Sequence, residues 1–263
     1  MIGTLVESLI PKKPLGKYSR ITSTLFKELG ANVLALNLYP WGFIGNKEEG
    51  YPHPDFSDND LPILLVHGIV HNRSAFYSLD RKFRALGWHN IYTINYSTTK
   101  GSMSRMVGDL EKKIDQILKE TNAPQVDIVA HSLGGLVSRK LMVIEPGRGK
   151  IRQLITLGTP HSGTRLSKFL RFVPGSSLFE DLDFQSFEIS GIQKTSLPRK
   201  SYVTSIFSDF DWTIQPKYSC EAKGFPESAF SNIEIKGVGH TGLLYSRQVF
   251  EVVVEELSKN YNH

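Results

Sequence analysis

"VDIVAHSLGG", residues 126–135, changes its hydrophobic period in mid-stretch. Val126 to His131 reads as an apolar strand, and from Leu133 to about Ile144 the apolar residues recur at helical spacing. Between them stand Ser132 and, just after Leu133, Gly134 and Gly135. In a parallel α/β sheet, ligands meet the carboxyl ends of the strands, and Ser132 falls at such an end. A serine in a sharp strand-to-helix turn projects its hydroxyl outward, while the first amides of the helix point toward developing negative charge. The turn requires small neighbours, which here are Ala130 and Gly134, giving A-x-S-x-G in place of G-x-S-x-G. A glycine pair after a serine also suits a plain helix start; the flanking strand and helix favour the turn.

Strand and helix signals alternate on both sides of this stretch. "LPILLVHG" (61–68) is a buried-strand run, followed by a helix carrying Phe76, Leu79, Phe83 and Leu86 and closed by Gly87. "NIYTINY" is the next strand, and Met103, Met106, Val107, Leu110, Ile114, Ile117 and Leu118 form a long helical stripe. Strands "IRQLITLG", "SYVTSIF" (201–207) and "NIEIKGV" (232–238) follow, and then a terminal helix through Val249, Phe250, Val253 and Leu257 with Ser246 as its cap. Repeated βα units of this kind predict one mainly parallel sheet flanked by helices. Upstream, Ile21, Leu25, Phe26 and Leu29 predict a helix capped by Ser19 and stopped by Gly30, and a Pro- and Gly-containing loop from Tyr39 to Asn59 leads to the first strand. The expected organisation is an extension over residues 1–60 packed on a catalytic domain over 61–263.

A serine hydroxyl is a poor nucleophile at neutral pH and needs a histidine base and an acid that orients it. In a sheet of this type the chain order is serine, acid, histidine, with the last two on loops after later strands. His240, in "GVGHTG", follows the final strand. His131 adjoins the serine and is poorly placed to face its hydroxyl; His67, His71 and His161 are expected around the cleft, and His53, His89 and His263 on the surface. In "SIFSDFDWTIQP" Asp209 and Asp211 both compete for the acid. Asp211 is favoured, because it lies farther into the loop and "TIQP" can fix the turn. The oxyanion donors are expected to be the amide of Leu133, directly after the serine, and that of Ile69, beside the permissive Gly68 in "VHGIVHNRSAF".

The remaining chain narrows the function classes. Its 263 residues suffice for a large α/β core, and the single Cys220 excludes an intrachain disulfide framework. The net charge of +5 draws on Lys12, Lys13, Lys17 and Arg20 near the start. Such a start suits an anionic lipid surface, although a solvated face without a partner is the plainer reading. Tyr18 is the one aromatic among those charges, and no nucleic acid is expected as a partner. The start lacks a secretory pattern, which predicts a cytoplasmic or peripheral-membrane chain. "LGANVLALNLYPWGF" (29–43) is too short and too interrupted to span a bilayer. No Zn or Ca ligand spacing is seen, and no cofactor is expected.

"LLVHGI", "VDIVAHSLGG", "LITLGTPHSGT", "TSIFSDFD" and "IKGVGHTGLLYSRQV" follow one another over about Leu61 to Leu257. In this order they resemble the motifs of the α/β-hydrolase lipases, especially the small Bacillus-type triacylglycerol lipases, in which alanine before the serine is typical. The resemblance implies an α/β-hydrolase fold, Ser132 as nucleophile, Asp211 as acid, His240 as base, and Ile69 and Leu133 as oxyanion donors. It implies lipid or acyl ester substrates. Acyltransferases and thioesterases use the same triad, and a catalytically dead fold that binds acyl lipids is the non-enzyme alternative. The chain departs from the smallest, lidless members in the apolar segment between Thr159 and Ser201. That segment, residues 160–200, is expected either to cap an acyl pocket or to pack on the sheet as an ordinary helix and loop.

Overall fold

Leu64 and Leu65 are adjacent in sequence and both fully buried, which requires a strand covered on both faces. A computed structural model describes residues 17–44, 61–98, 102–144, 147–165, 181–184, 186–224 and 226–259. Six strands, β1 (Ile63–Val66), β2 (Ile91–Thr93), β3 (Val126–His131), β4 (Ile151–Leu157), β5 (Tyr202–Ser208) and β6 (Phe230–Ile235), form one sheet in the order β2-β1-β3-β4-β5-β6. Every neighbouring pair is parallel. Among the described residues six helices accompany them: α1 (Lys17–Leu38), α2 (Tyr77–Ala85), α3 (Met103–Thr121), α4 (Leu133–Val143), α5 (Phe187–Lys194) and α6 (Arg247–Leu257).

Strand alternation divides the core in two. Leu64 and Val66 pack with Met106, Leu110 and Ile114 of α3 and with Leu136 and Val137 of α4. Ile63 and Leu65 pack with Leu79 and Phe83 of α2 and with Val249 and Val253 of α6. Full burial of each such side chain contributes about 2 kcal/mol relative to exposure. The polar residue inside the β3 run, Asp127, is buried and paired across to Arg152 on β4, whose Nε donates to Oδ1 at 2.9 Å. Burial pushes the Asp127 carboxyl up, and the guanidinium opposes that shift.

Helix α6 begins at the expected cap, with the Ser246 hydroxyl accepting from the Val249 amide. Three boundaries differ from the sequence reading. Helix α1 starts before Ser19 and runs through Gly30 to Leu38. A mid-helix glycine costs only about 1 kcal/mol, and "ANVLALNL" beyond it is rich in helix formers, so the helix stops instead at the turn Tyr39–Gly42, which contains Pro40. Strand β2 ends at Thr93, because the Tyr96 amide turns to His67 and the Asn95 side chain to the Arg73 amide. Strand β6 ends at Ile235, before a turn in which Gly237 takes φ +68° and donates to Asp209 Oδ1.

The central part of the expected cap, 166–180, lies outside the described residues, as do Lys12, Lys13, His53, His263 and most of the 39–59 loop. Of the described flank, Leu182, Ile189 and Ile192 are buried in the core against the α3 and α4 side of the sheet.

Candidate active site

The loops that leave the carboxyl ends of β1, β3, β5 and β6 carry, in turn, Ile69, Ser132, Asp211 and His240. Ser132 has φ 54° and ψ −123°, a conformation that costs a residue with a side chain about 1–3 kcal/mol and persists only where its surroundings enforce it. The Ser132 amide donates to the Leu157 carbonyl at 2.9 Å, and the Thr159 hydroxyl donates to the Ser132 carbonyl at 2.8 Å. Glycine is needed on the helix side of the turn. A Cβ at position 134 would lie 2.6 Å from the carbonyl oxygens of Val66 and His67, and one at 135 would lie 2.0 Å from Thr159 Oγ1. On the other side, a Cβ at Gly68 would come within 2.9 Å of the Ser132 Cβ. Ala130 is fully buried in β3, where its methyl is accommodated.

His240 Nδ1 donates to Asp211 Oδ2 at 2.6 Å. The carboxylate only accepts, so this bond fixes the proton on Nδ1 and leaves Nε2 as an acceptor. Asp211 is held by its own turn, Oδ1 accepting from the amides of Thr213 and Ile214, each at 2.9 Å, and its carbonyl accepting from the Gln215 side chain. Asp209 is exposed and occupied with the Gly237 amide. The turn after β4 lies beside Ser132, Asp211 and His240. Leu157 bonds Ser132, Thr159 bonds Ser132, and a Cβ on Gly158 (φ +60°) would lie 3.1 Å from His240 Nδ1 and 3.2 Å from Asp211 Oδ2. Among the described residues the Ser132 hydroxyl forms no hydrogen bond; serine–histidine bonds commonly close only with substrate present. The Leu133 and Ile69 amides likewise donate to no protein group among the described residues.

A row of rings lies beside the serine. His131 is 4.7 Å from His240 and 5.6 Å from His71, centroid to centroid, and His131 Nε2 donates to the His240 carbonyl at 3.1 Å. Burial, then the His240 charge, lowers His131 well below the ordinary histidine value and His71 to about 4. An imidazolium at position 240 therefore has neutral rings beside it.

The palmitoyl protein thioesterase family model matches residues 62–218, more than half of the chain. The chain belongs to this family. The match includes Ser132 and Asp211 and ends before His240. The chain is also similar to a triacylglycerol lipase of Pseudarthrobacter phenanthrenivorans, at 29% identity over 43% of this chain and 37% of that protein. A triacylglycerol lipase of Vibrio cholerae is 22% identical over 57% of this chain and 49% of that protein. These matches thus span less than half the length of either relative. Among solved structures, the mature lipase BlEst2 of Bacillus licheniformis superposes with a TM-score of 0.65 at 17% identity, covering 80% of this chain and 97% of that one. Aspergillus fumigatus lipase B gives 0.62 at 17% identity, over 80% of this chain and 56% of that one. The six-stranded parallel sheet of this palmitoyl protein thioesterase family member is an α/β-hydrolase fold.

Two histidines expected around the cleft are fully buried. His67 is fully buried, stacked on Tyr96 at 4.4 Å, and donates from Nδ1 to the Gly68 carbonyl; burial lowers it to about 4. His161 is fully buried under the sheet end, its Nδ1 accepting from Arg139 at 3.2 Å and its Nε2 donating to Thr156 at 2.9 Å. Burial, then the Arg139 charge, holds it neutral. Three contributors were not read from the sequence. Thr159 fixes the serine turn, although it stands in a quoted motif. Val70, at φ 56°, bends the loop after Ile69 and donates to Thr98 Oγ1. Glu28 of α1 spans the start of the turn after His240, Oε1 accepting from Thr241 and Oε2 from Gly242, both at 2.8 Å. No local pattern marks Glu28, because its partners lie more than 200 residues away.

Proposed function

We propose that the chain is a serine-dependent hydrolase of acyl esters. The observation that carries this reading is the turn Leu157–Thr159, which bonds the Ser132 backbone on one side and at Gly158 leaves no room for a side chain against the Asp211–His240 pair on the other. In this reading His240 Nε2 takes the Ser132 proton as Oγ adds to the acyl carbonyl. The resulting oxyanion sits against the Ile69 and Leu133 amides, each such donor typically worth about 3 kcal/mol. Collapse expels the alcohol or thiol, which receives the proton from His240. Water then enters, His240 takes its proton, and the acid leaves as Ser132 is regenerated. Asp211 keeps the imidazole in the required tautomer and stabilises the imidazolium.

The family match favours thioesters of long acyl chains as a second reading of the same site, while the lipase relatives favour oxygen esters. Labelling with a fluorophosphonate probe, followed by turnover of p-nitrophenyl butyrate, p-nitrophenyl palmitate and palmitoyl-CoA, tests both. Wild-type protein should be labelled at one serine and Ser132→Ala not at all. An unlabelled wild type that hydrolyses none of the three would end the proposal, and the ratio of palmitoyl-CoA to palmitate-ester turnover decides between the leaving groups.

A further inference from the structure

Helix α1 is amphipathic in the wrong sense for a helix whose only partner is its own protein. At about 100° per residue, Leu25, Phe26, Leu29, Val33 and Leu36 share an arc of roughly 100°, and all five are exposed, Phe26 at 75% and Leu36 at 74%. The side packed on the protein is small and polar: Thr24, Ala31 and Ala35 are buried there, and Glu28 and Asn32 bond to the turn after His240. The apolar surface continues past the helix through Trp41, Phe43 and Ile44. Of the fourteen large apolar side chains exposed among the described residues, nine lie between Leu25 and Ile44. Isolated exposed hydrophobics need no explanation, but a contiguous stripe of this length marks an interaction surface.

The location of the stripe narrows the partner. Helix α1 touches the base loop through Glu28, and the turn after it touches the Ile69 loop, where Asn72 donates to the Tyr39 carbonyl and Arg73 to those of Gly42 and Ile44. Val70, next to Ile69, and Trp212, next to Asp211, are themselves 63% and 66% exposed. The helix and the turn that bear the stripe are thus bonded to the loops that carry His240 and Ile69. Charge supplies the second argument: residues 1–44 contain Lys12, Lys13, Lys17, Arg20 and Lys27 against Glu7 and Glu28, and Glu28 is turned inward. Trp41, in the turn just past the helix, is a residue suited to a headgroup boundary. Among the described residues no helix is long and apolar enough to cross a membrane, so α1 fits a helix lying in the surface plane.

We propose that the outer face of α1 docks on an anionic lipid surface and holds the rim of the site against it. That the rim admits acyl chains rests on the hydrolase reading; the docking itself does not. The experiment is co-sedimentation of the full chain with vesicles of roughly 7:3 phosphatidylcholine to phosphatidylglycerol, alongside size-exclusion chromatography. Phe26→Gln, Leu29→Gln and Leu36→Gln combined should lower the partition coefficient roughly 100-fold, while p-nitrophenyl acetate turnover stays at the wild-type rate. Ser132→Ala should sediment like wild type, so a vesicle-binding protein without esterase activity would sink the hydrolase reading alone. Equal sedimentation of wild type and the triple variant would overturn the docking proposal. A wild-type dimer that the variant converts to monomer, with neither binding vesicles, would assign the face to a second copy and overturn it as well.

Discussion

Asp209 and Asp211 are two residues apart on one loop, yet their surroundings assign them different work. Asp211 is buried with one oxygen on two backbone amides and the other on His240, whereas Asp209 is exposed and closes the Gly237 turn. Replacing Asp211 by Asn puts an amide against the imidazole Nδ1, so the ring rotates or adopts the wrong tautomer. We expect Asp211→Asn to lower kcat by about 10³–10⁴-fold with little change in KM, and Asp209→Asn to stay within about threefold of wild type, both read from steady-state turnover of p-nitrophenyl butyrate. Equal losses in the two variants would mean that the loop, not the carboxylate at 211, is what matters. The candidate serine, histidine and aspartates are legible in the sequence because each stands in a short turn whose chemistry is local. Thr159 was not, because a threonine after "LITLG" carries no sign that its hydroxyl will meet a carbonyl 27 residues back.

At the scale of elements, α1 and the turn Thr241–Leu244 form one unit although they lie far apart in the chain. The Glu28 carboxylate takes the place of an N-terminal cap for that turn, and a Cβ on Gly239 would meet its Oε2 at 2.1 Å. The loop is therefore shaped around the carboxylate. We expect Glu28→Ala to reduce kcat on the order of tenfold to hundredfold by letting His240 drift, with KM nearly unchanged and with partial recovery in Glu28→Gln, which keeps one acceptor oxygen. Unchanged kcat in Glu28→Ala would show that the loop holds His240 without help. Strand existence and order of appearance were legible because a parallel sheet demands continuous apolar runs. Element ends were less so: α1 overran Gly30 because the cost of one glycine is small beside the helix-forming residues that follow, and β2 stopped early because Asn95 and Tyr96 are drawn to side chains that no local pattern reveals.

For the whole molecule, four histidines among the described residues whose values are lowered contribute to the response to acid. Burial is the leading cause in each: His67 and His71 fall to about 4, and His131 and His161 fall well below the ordinary value. In the unfolded chain these side chains titrate near 6.5. As pH falls through that value, the unfolded state binds protons that the folded state refuses, so stability is fully present above about pH 7 and is lost progressively toward pH 4. We expect the urea midpoint to drop steeply between pH 7 and pH 5, with up to about four protons taken up on unfolding; a flat midpoint across that interval would contradict the burial of these rings.

The sheet order has one more consequence. Ser132 follows a central strand with neighbours on both sides, while His240 follows β6, an edge strand whose residues from Phe230 to Glu234 are half-buried or exposed. Margins of a sheet peel away at lower free-energy cost than its middle. In a urea titration, turnover should therefore cease before ellipticity declines: a damaged copy falls silent while most of its architecture still stands.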